Sequence, residues 1–163
     1  MSSVIQHLIK KLKDVQSGKL WIGSSYESKL VAIPESLMFN RPMEHMHSIA
    51  EIISHLTLWR TETILKINTG KGSKTDECAE NWLGNDVLER KGWTKLKSEY
   101  DQTLVDLIDL LEDKDDSFLS LNYYDTDFKD NYPYSFVLNG MLQHDIYHLG
   151  QLGIIIKYLK DMN

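Results

Sequence analysis

Gln143-His144-Asp145-Ile146-Tyr147-His148-Leu149-Gly150-Gln151 sets two imidazoles four residues apart at the centre of the last helical segment of the chain. Positions i and i+4 lie one turn apart on one helical face. Val137, Gly140 and Met141 precede the pair on that face, and Gln151 and Ile155 follow it. The histidines therefore interrupt a largely apolar stripe, where an unpartnered polar group costs free energy. Far upstream, His55 has similar surroundings in Ile52-Ile53-Ser54-His55-Leu56-Thr57-Leu58-Trp59. Three imidazoles on the apolar faces of two helices suggest one shared divalent metal, and the rest of the chain reads as the scaffold that brings them together.

The helix bearing His55 has the clearest start. Ser48-Ile49-Ala50-Glu51 forms a capping box, in which the Ser48 hydroxyl accepts from the Glu51 amide and Glu51 reaches back to the Ser48 amide. The helix is expected to run to about Ile67, with Ile49, Ile52, Ile53, Leu56, Trp59 and Thr63 inward and Arg60 and Glu62 on a charged outer side. A first helix, capped by Ser2 or Ser3, carries Val4, Ile5, Leu8, Ile9, Leu12 and Val15 at helical spacing and stops at Gly18. Ser25 caps a short helix before Pro34. A third long helix, about Trp93 to Leu111, has the stripe Leu96, Tyr100, Leu104, Leu107, Ile108 and Leu111. The acidic residues from Asp106 to Asp116 read as a solvated face. The last helix spans about Pro133 or Ser135 to Lys160. Asn68 to Asn81 is a polar connection expected to be mobile, with Trp82 and Leu83 anchoring its end. Leu119 to Tyr134 is irregular, with room for a short extended piece. Four amphipathic helices of similar length imply an all-α four-helix bundle, and the long connections allow a topology other than up-down-up-down.

Bulk properties narrow the function. The 163 residues fit one domain, 1-163, with a substantial core. The net charge of −6, with no basic block, argues against nucleic acid as a ligand. The one cysteine, Cys78, rules out an intrachain disulfide and reads as a free thiol in a surface connection. No apolar run is long enough for a membrane span, and no signal-like segment precedes the first helix, so a cytoplasmic, soluble protein is expected.

Two histidines hold a metal weakly, and a third from a facing helix makes a stable site. Three neutral imidazoles leave a position for water or substrate, as catalytic sites do. The candidate ligands are His55, His144 and His148. The reacting group would be a metal-bound water or the substrate itself. Tyr147 and Gln151 flank the pair as candidate helpers, or as packing and outer hydrogen bonds. His-Glu-x-x-His is absent, so no metalloprotease base is built in. His45 and His47, two residues apart before the capped helix, read as surface loop residues. Gly140, Gly150 and Gly153 indicate close helix packing or room for a ligand.

Three stretches, in order, resemble the DinB/YfiT-like metalloenzyme family (DinB superfamily): Gly18-Lys19-Leu20-Trp21-Ile22-Gly23-Ser24-Ser25, Ser48 through His55-Leu56-Thr57-Leu58-Trp59-Arg60, and Leu138 through His144, His148, Gly150 and Gln151. The resemblance covers most of the chain. It implies a DinB/YfiT-like four-helix bundle, one divalent ion on His55, His144 and His148 (zinc or nickel first, manganese or iron as alternatives), and a homodimer. Relatives of that type include bacillithiol S-transferases, a mycothiol-dependent isomerase and glutathione-related enzymes. The expected function is activation of a thiol or water for transfer to, or hydrolysis of, a small molecule. The partner is then a small-molecule substrate, such as a low-molecular-weight thiol. The alternative is a non-catalytic bundle that binds a metal or ligand. The departures from the family pattern fall in the connection after the second long helix and in the tyrosine-rich lead to the last.

Overall fold

The computed structural model describes residues 3–162. Its four long helices are α1 (Val4–Ser17), α3 (Ile49–Thr69), α5 (Trp93–Glu112) and α6 (Tyr134–Asp161), with short helices α2 (Tyr26–Leu30) and α4 (Asn85–Lys91) in the connections. Ser3 caps α1 by accepting from the Gln6 amide, while Ser2 lies outside the described residues. The Ser48–Glu51 capping box starts α3, and Gly70 ends it at φ 71°, a left-handed conformation that glycine adopts without a Cβ penalty. Ser25 caps α2 through a second capping box.

α5 and α6 each pack against both α1 and α3. Consecutive long helices α1 and α3 therefore face each other across the bundle, and the segment from Gly18 to Ser48 makes the crossing. The inner faces supply one apolar core, including Ile5, Leu12, Ile53, Leu56, Leu107 and Leu152. Full burial of such side chains contributes about 1.5–3 kcal/mol each.

The expected irregular lead to α6 contains a hairpin. β1 (Asn122–Asp125) pairs antiparallel with β2 (Asp130–Pro133), with Asn122 opposite Pro133. Two strands of four residues are too short to display an alternating pattern. The polar connection after α3, expected to be mobile, is tied to this hairpin: the Gly72 amide donates to Tyr124 O and the Tyr124 amide to Gly70 O, both at 2.9 Å.

One expectation about charge is corrected. Arg60 and Glu62 do not lie on a solvated side of α3; both are buried. Arg60 pairs with Asp145 of α6, and Glu62 accepts from the Ser73 amide and hydroxyl and the Lys74 amide. Asp116 is exposed, as expected of the acidic run, and also accepts from the Val4 and Ile5 amides at 3.0 Å, completing the start of α1. Asp106, Asp109 and Glu112 do remain exposed.

Candidate metal centre

α3 and α6 run antiparallel, since His55 meets His144 while Lys66 O accepts from the Tyr134 hydroxyl near the other end. The structure brings together the three histidines singled out by the sequence. His55 Nε2 lies 2.9 Å from His144 Nε2, and His148 Nε2 lies 3.0 Å from the same atom. Metal–nitrogen bonds of about 2.0–2.1 Å to one centre set neighbouring donors roughly 3 Å apart, so the spacing fits a shared ion.

The outer ring nitrogens decide what the inner ones carry. His55 Nδ1 is 3.0 Å from the backbone oxygen of Asn81, and His148 Nδ1 is 2.7 Å from Gln151 Oε1. A carbonyl oxygen only accepts, so both Nδ1 atoms carry the proton and both Nε2 atoms present lone pairs. His144 Nε2 can donate to one of them at most, which leaves a second lone pair facing lone-pair density. A cation satisfies all three donors at once. Burial, reinforced by charge on the neighbouring imidazoles, lowers the pKa of His144 to about 3 and of His148 to about 4. Burial also lowers that of His55. The imidazoles are thus held neutral, the form that ligates.

Residues missed by the sequence reading complete the centre. Asn81 holds His55 with its backbone oxygen, accepts from Trp59 Nε1 at 2.9 Å with its side-chain oxygen, and donates to Asp76 O at 2.8 Å. Trp82 stacks on His55 with ring centroids 4.0 Å apart, and His47 stacks on the other face of Trp82 at 3.7 Å. His47 is thus half-buried beside the centre, a correction to its reading as a plain surface residue, while His45 is exposed. Nothing periodic marks Asn81 or His47, because loop closure and not helical spacing puts them there.

Gln151 orients His148 and donates to the Tyr147 hydroxyl at 2.9 Å. Tyr147 itself lies on the outer side of α6, 62% exposed, and does not line the cavity. A cavity of about 540 Å³ runs along the groove between α3 and α6. His55 and His144 border it at one end; Lys66, Tyr123 and Asp125 border it at the other. Trp59, Val137 and Met141 line its length. A Cβ at Gly140, also in the lining, would touch nothing, so this glycine leaves space and does not seat a neighbouring helix.

The chain is thus a four-helix bundle with a largely buried three-imidazole cluster at one end of a groove. The family model of the DinB superfamily matches residues 24–152, and the chain belongs to that superfamily. Three solved structures share the fold. A DinB-like protein from Bacillus subtilis is 13% identical, with 97% of this chain and 87% of that chain covered and a TM-score of 0.56. YfiT from Bacillus subtilis, described as a probable metal-dependent hydrolase with an unusual four-helix bundle topology, is 12% identical, with the same coverages and a TM-score of 0.60. A mycothiol-dependent maleylpyruvate isomerase is 13% identical over 94% of this chain, which spans 64% of that protein, with a TM-score of 0.63. No curated protein matches the chain. Among the described residues, no helix is long and apolar enough to cross a membrane.

Proposed function

We propose that this protein is a single-domain metal-dependent enzyme that activates a thiol or a water molecule against a small molecule held in the α3–α6 groove. The observation that carries the reading is the convergence of three Nε2 atoms, two of them fixed as lone pairs by outer hydrogen bonds. His55, His144 and His148 would hold one divalent ion, with zinc or nickel the first candidates. When bound, such an ion supplies Lewis acidity, which makes a thiol or water nucleophilic near neutral pH.

The chain's own residues do the rest. Asn81 and Gln151 fix the tautomers of His55 and His148, so that no proton must leave Nε2 before a ligand arrives. Trp82 covers the face of His55 and keeps water from it. The groove is large enough for a small substrate beside His55 and His144, within the usual range of about 300–1,000 Å³ for ligand sites. The chemistry of the two functionally described relatives, an isomerase that uses a thiol and a probable hydrolase, supports both nucleophiles. An exposed strip on α6, with Tyr147, Ile154 and Tyr158, supports association into a homodimer, which sedimentation would test.

His55→Ala and His148→Ala are expected to lower sharply the metal bound per chain, measured by mass spectrometry of the purified protein. Unchanged stoichiometry in both variants refutes the triad. Protein loaded with zinc, nickel or manganese, assayed with bacillithiol, glutathione or coenzyme A and a generic electrophile, is expected to turn over with at least one pair. No turnover with any pair favours the alternative, a bundle that only binds a metal or ligand.

A further inference from the structure

The end of the groove away from the histidines holds a buried cation with hydrogen-bonding capacity to spare. Lys66 is 5% exposed and lines the cavity. Its ammonium carries three N–H groups, and among the described residues its only hydrogen bond is to Asp125 Oδ2 at 2.8 Å. The partner carboxylate is far better served. Asp125 accepts from Lys66, from the Tyr123 hydroxyl at 3.0 Å, and from the amides of Asp127 and Phe128 at 3.0 and 3.2 Å. Four donors share the carboxylate's charge, while one acceptor serves the ammonium. The pair is thus lopsided: besides Asp125 the ammonium has the Tyr123 ring, 5.4 Å away, and Lys66 lines the groove.

We infer that Lys66 is the anchor for a carboxylate on the substrate, so that the groove takes an elongated monocarboxylate with an apolar body and its reacting end at the histidines. The reading of the histidines as a metal centre matters here only for the orientation of that far end. Position along α3 supports the span: His55, Trp59, Thr63 and Lys66 recur at helical spacing, and Lys66 lies about 16 Å along the axis from His55 at 1.5 Å per residue. Between the two ends the lining includes Trp59, Val137 and Met141, which suit a hydrocarbon or aromatic body. Asp76 and Asp127 also border the groove. Their negative charge repels any anion, and a dianion such as a phosphate monoester about twice as strongly, so a single carboxylate is the anion that one ammonium can hold against them. The Thr63 hydroxyl does not compete for this role, because it already donates to Trp59 O.

Two binding measurements test the assignment without reading turnover. The first uses metal-free protein and titration calorimetry with phenylhexanoate and phenylhexanamide, which isolates the Lys66 end. The acid is expected to bind about tenfold or more tightly than the amide, as a charge-assisted hydrogen bond predicts. Lys66→Met alone also takes a donor from Asp125, so the informative variant combines Lys66→Met with Asp125→Asn; it is expected to abolish the preference, and Lys66→Arg to keep part of it. Equal affinities in the wild type, or a preference that survives the double variant, overturn the assignment. The second uses cobalt-loaded protein and the thiolate-to-cobalt absorption band. ω-Mercaptohexanoate is expected to reach half-saturation at about tenfold lower concentration than ω-mercaptohexanol, and to lose that advantage in the double variant. A calorimetric preference with no band from either thiol supports Lys66 and refutes the metal reading. A band from both thiols with no preference for the acid does the reverse.

Discussion

Two buried ion pairs leave α3 within six residues of each other, and they are built differently. Arg60 pairs with Asp145, and Lys66 with Asp125, each at 2.8 Å. The first pair is sealed. Both side chains are essentially inaccessible, and Arg60 also reaches Gln16 of α1 and the Tyr100 hydroxyl of α5, with its guanidinium 4.2 Å over the Tyr100 ring. Burial opposes the charge on Arg60, but Asp145 and the tyrosine oxygens outweigh it and hold the guanidinium protonated more firmly than usual. Among the described residues, Arg60 Nε and Nη1 and Asp145 Oδ1 make no hydrogen bond. The second pair stands in the wall of a cavity. The two buried charges on α3 thus do different jobs: Arg60 ties the four long helices together, and Lys66 stands in the lining of a cavity.

The sealed pair should give the largest effect. Arg60→Ala or Asp145→Ala strands a buried charge and is expected to cost about 3–5 kcal/mol in urea unfolding. The double replacement Arg60→Met with Asp145→Leu removes both charges and is expected to recover most of that loss. A double variant as unstable as either single one would mean that the pair does more than neutralise itself, and the contrast with the second pair would have to be redrawn.

At the cavity wall the loss should be smaller. Lys66→Met removes one donor of four from Asp125, and solvent entering the groove can replace it, so about 1–3 kcal/mol is expected. A cost equal to that of Arg60→Ala would break the comparison. The acid limb of the stability curve sharpens it further. Burial raises the pKa of Asp125, but Lys66 and the backbone donors outweigh it, and the folded value lies below the ordinary one. The unfolded chain therefore takes up this proton first, near pH 3.9. The stability that Asp125 contributes is full above that pH and is lost as pH falls through the lower folded value. The gap in Tm between wild type and Asp125→Asn should narrow on acidification below about pH 4. A gap that stays constant would place Asp125 outside the titrating set.

These contrasts also mark what could be read from sequence. α1 and α3 were legible because cap and period coincide, with Ser3 and Ser48 where the apolar stripes start, whereas α5 and α6 have no side-chain cap and were legible from period alone. The histidines were legible for the same reason, since i and i+4 on a known face needs no tertiary information. Arg60 was misplaced because its partner Asp145 is 85 residues away, and periodicity treats a charge as solvated until a partner is known. Lys66 stood in the same blind spot, 59 residues from Asp125. Asn81 and Trp82 reach the centre through a loop whose path is set by contacts with the hairpin and with Glu62, not by its own composition.

Gly72 offers the finest test, because it is where that loop closes over the second pair. A Cβ there would stand 2.8 Å from Lys66 Cε and 2.9 Å from Glu62 Oε1. Both are ends of side chains, which would ordinarily yield, but each is held: Lys66 by Asp125, and Glu62 by Ser73 and Lys74. Gly72→Ala therefore adds a steric cost of about 1–3 kcal/mol. The lower entropy of the unfolded chain offsets about 0.4–1 kcal/mol of it. A net loss of about 1 kcal/mol corresponds to roughly 2–4 °C in Tm for a chain of this length. The displacement falls on Lys66 and Glu62 and touches none of the three histidines, so phenylhexanoate should bind several-fold more weakly while metal content stays at the wild-type level. A variant that is stabilised, with the carboxylate preference intact, would show that the wall around Lys66 yields freely, and an ammonium in so loose a wall could not be the preorganised anchor that the groove requires.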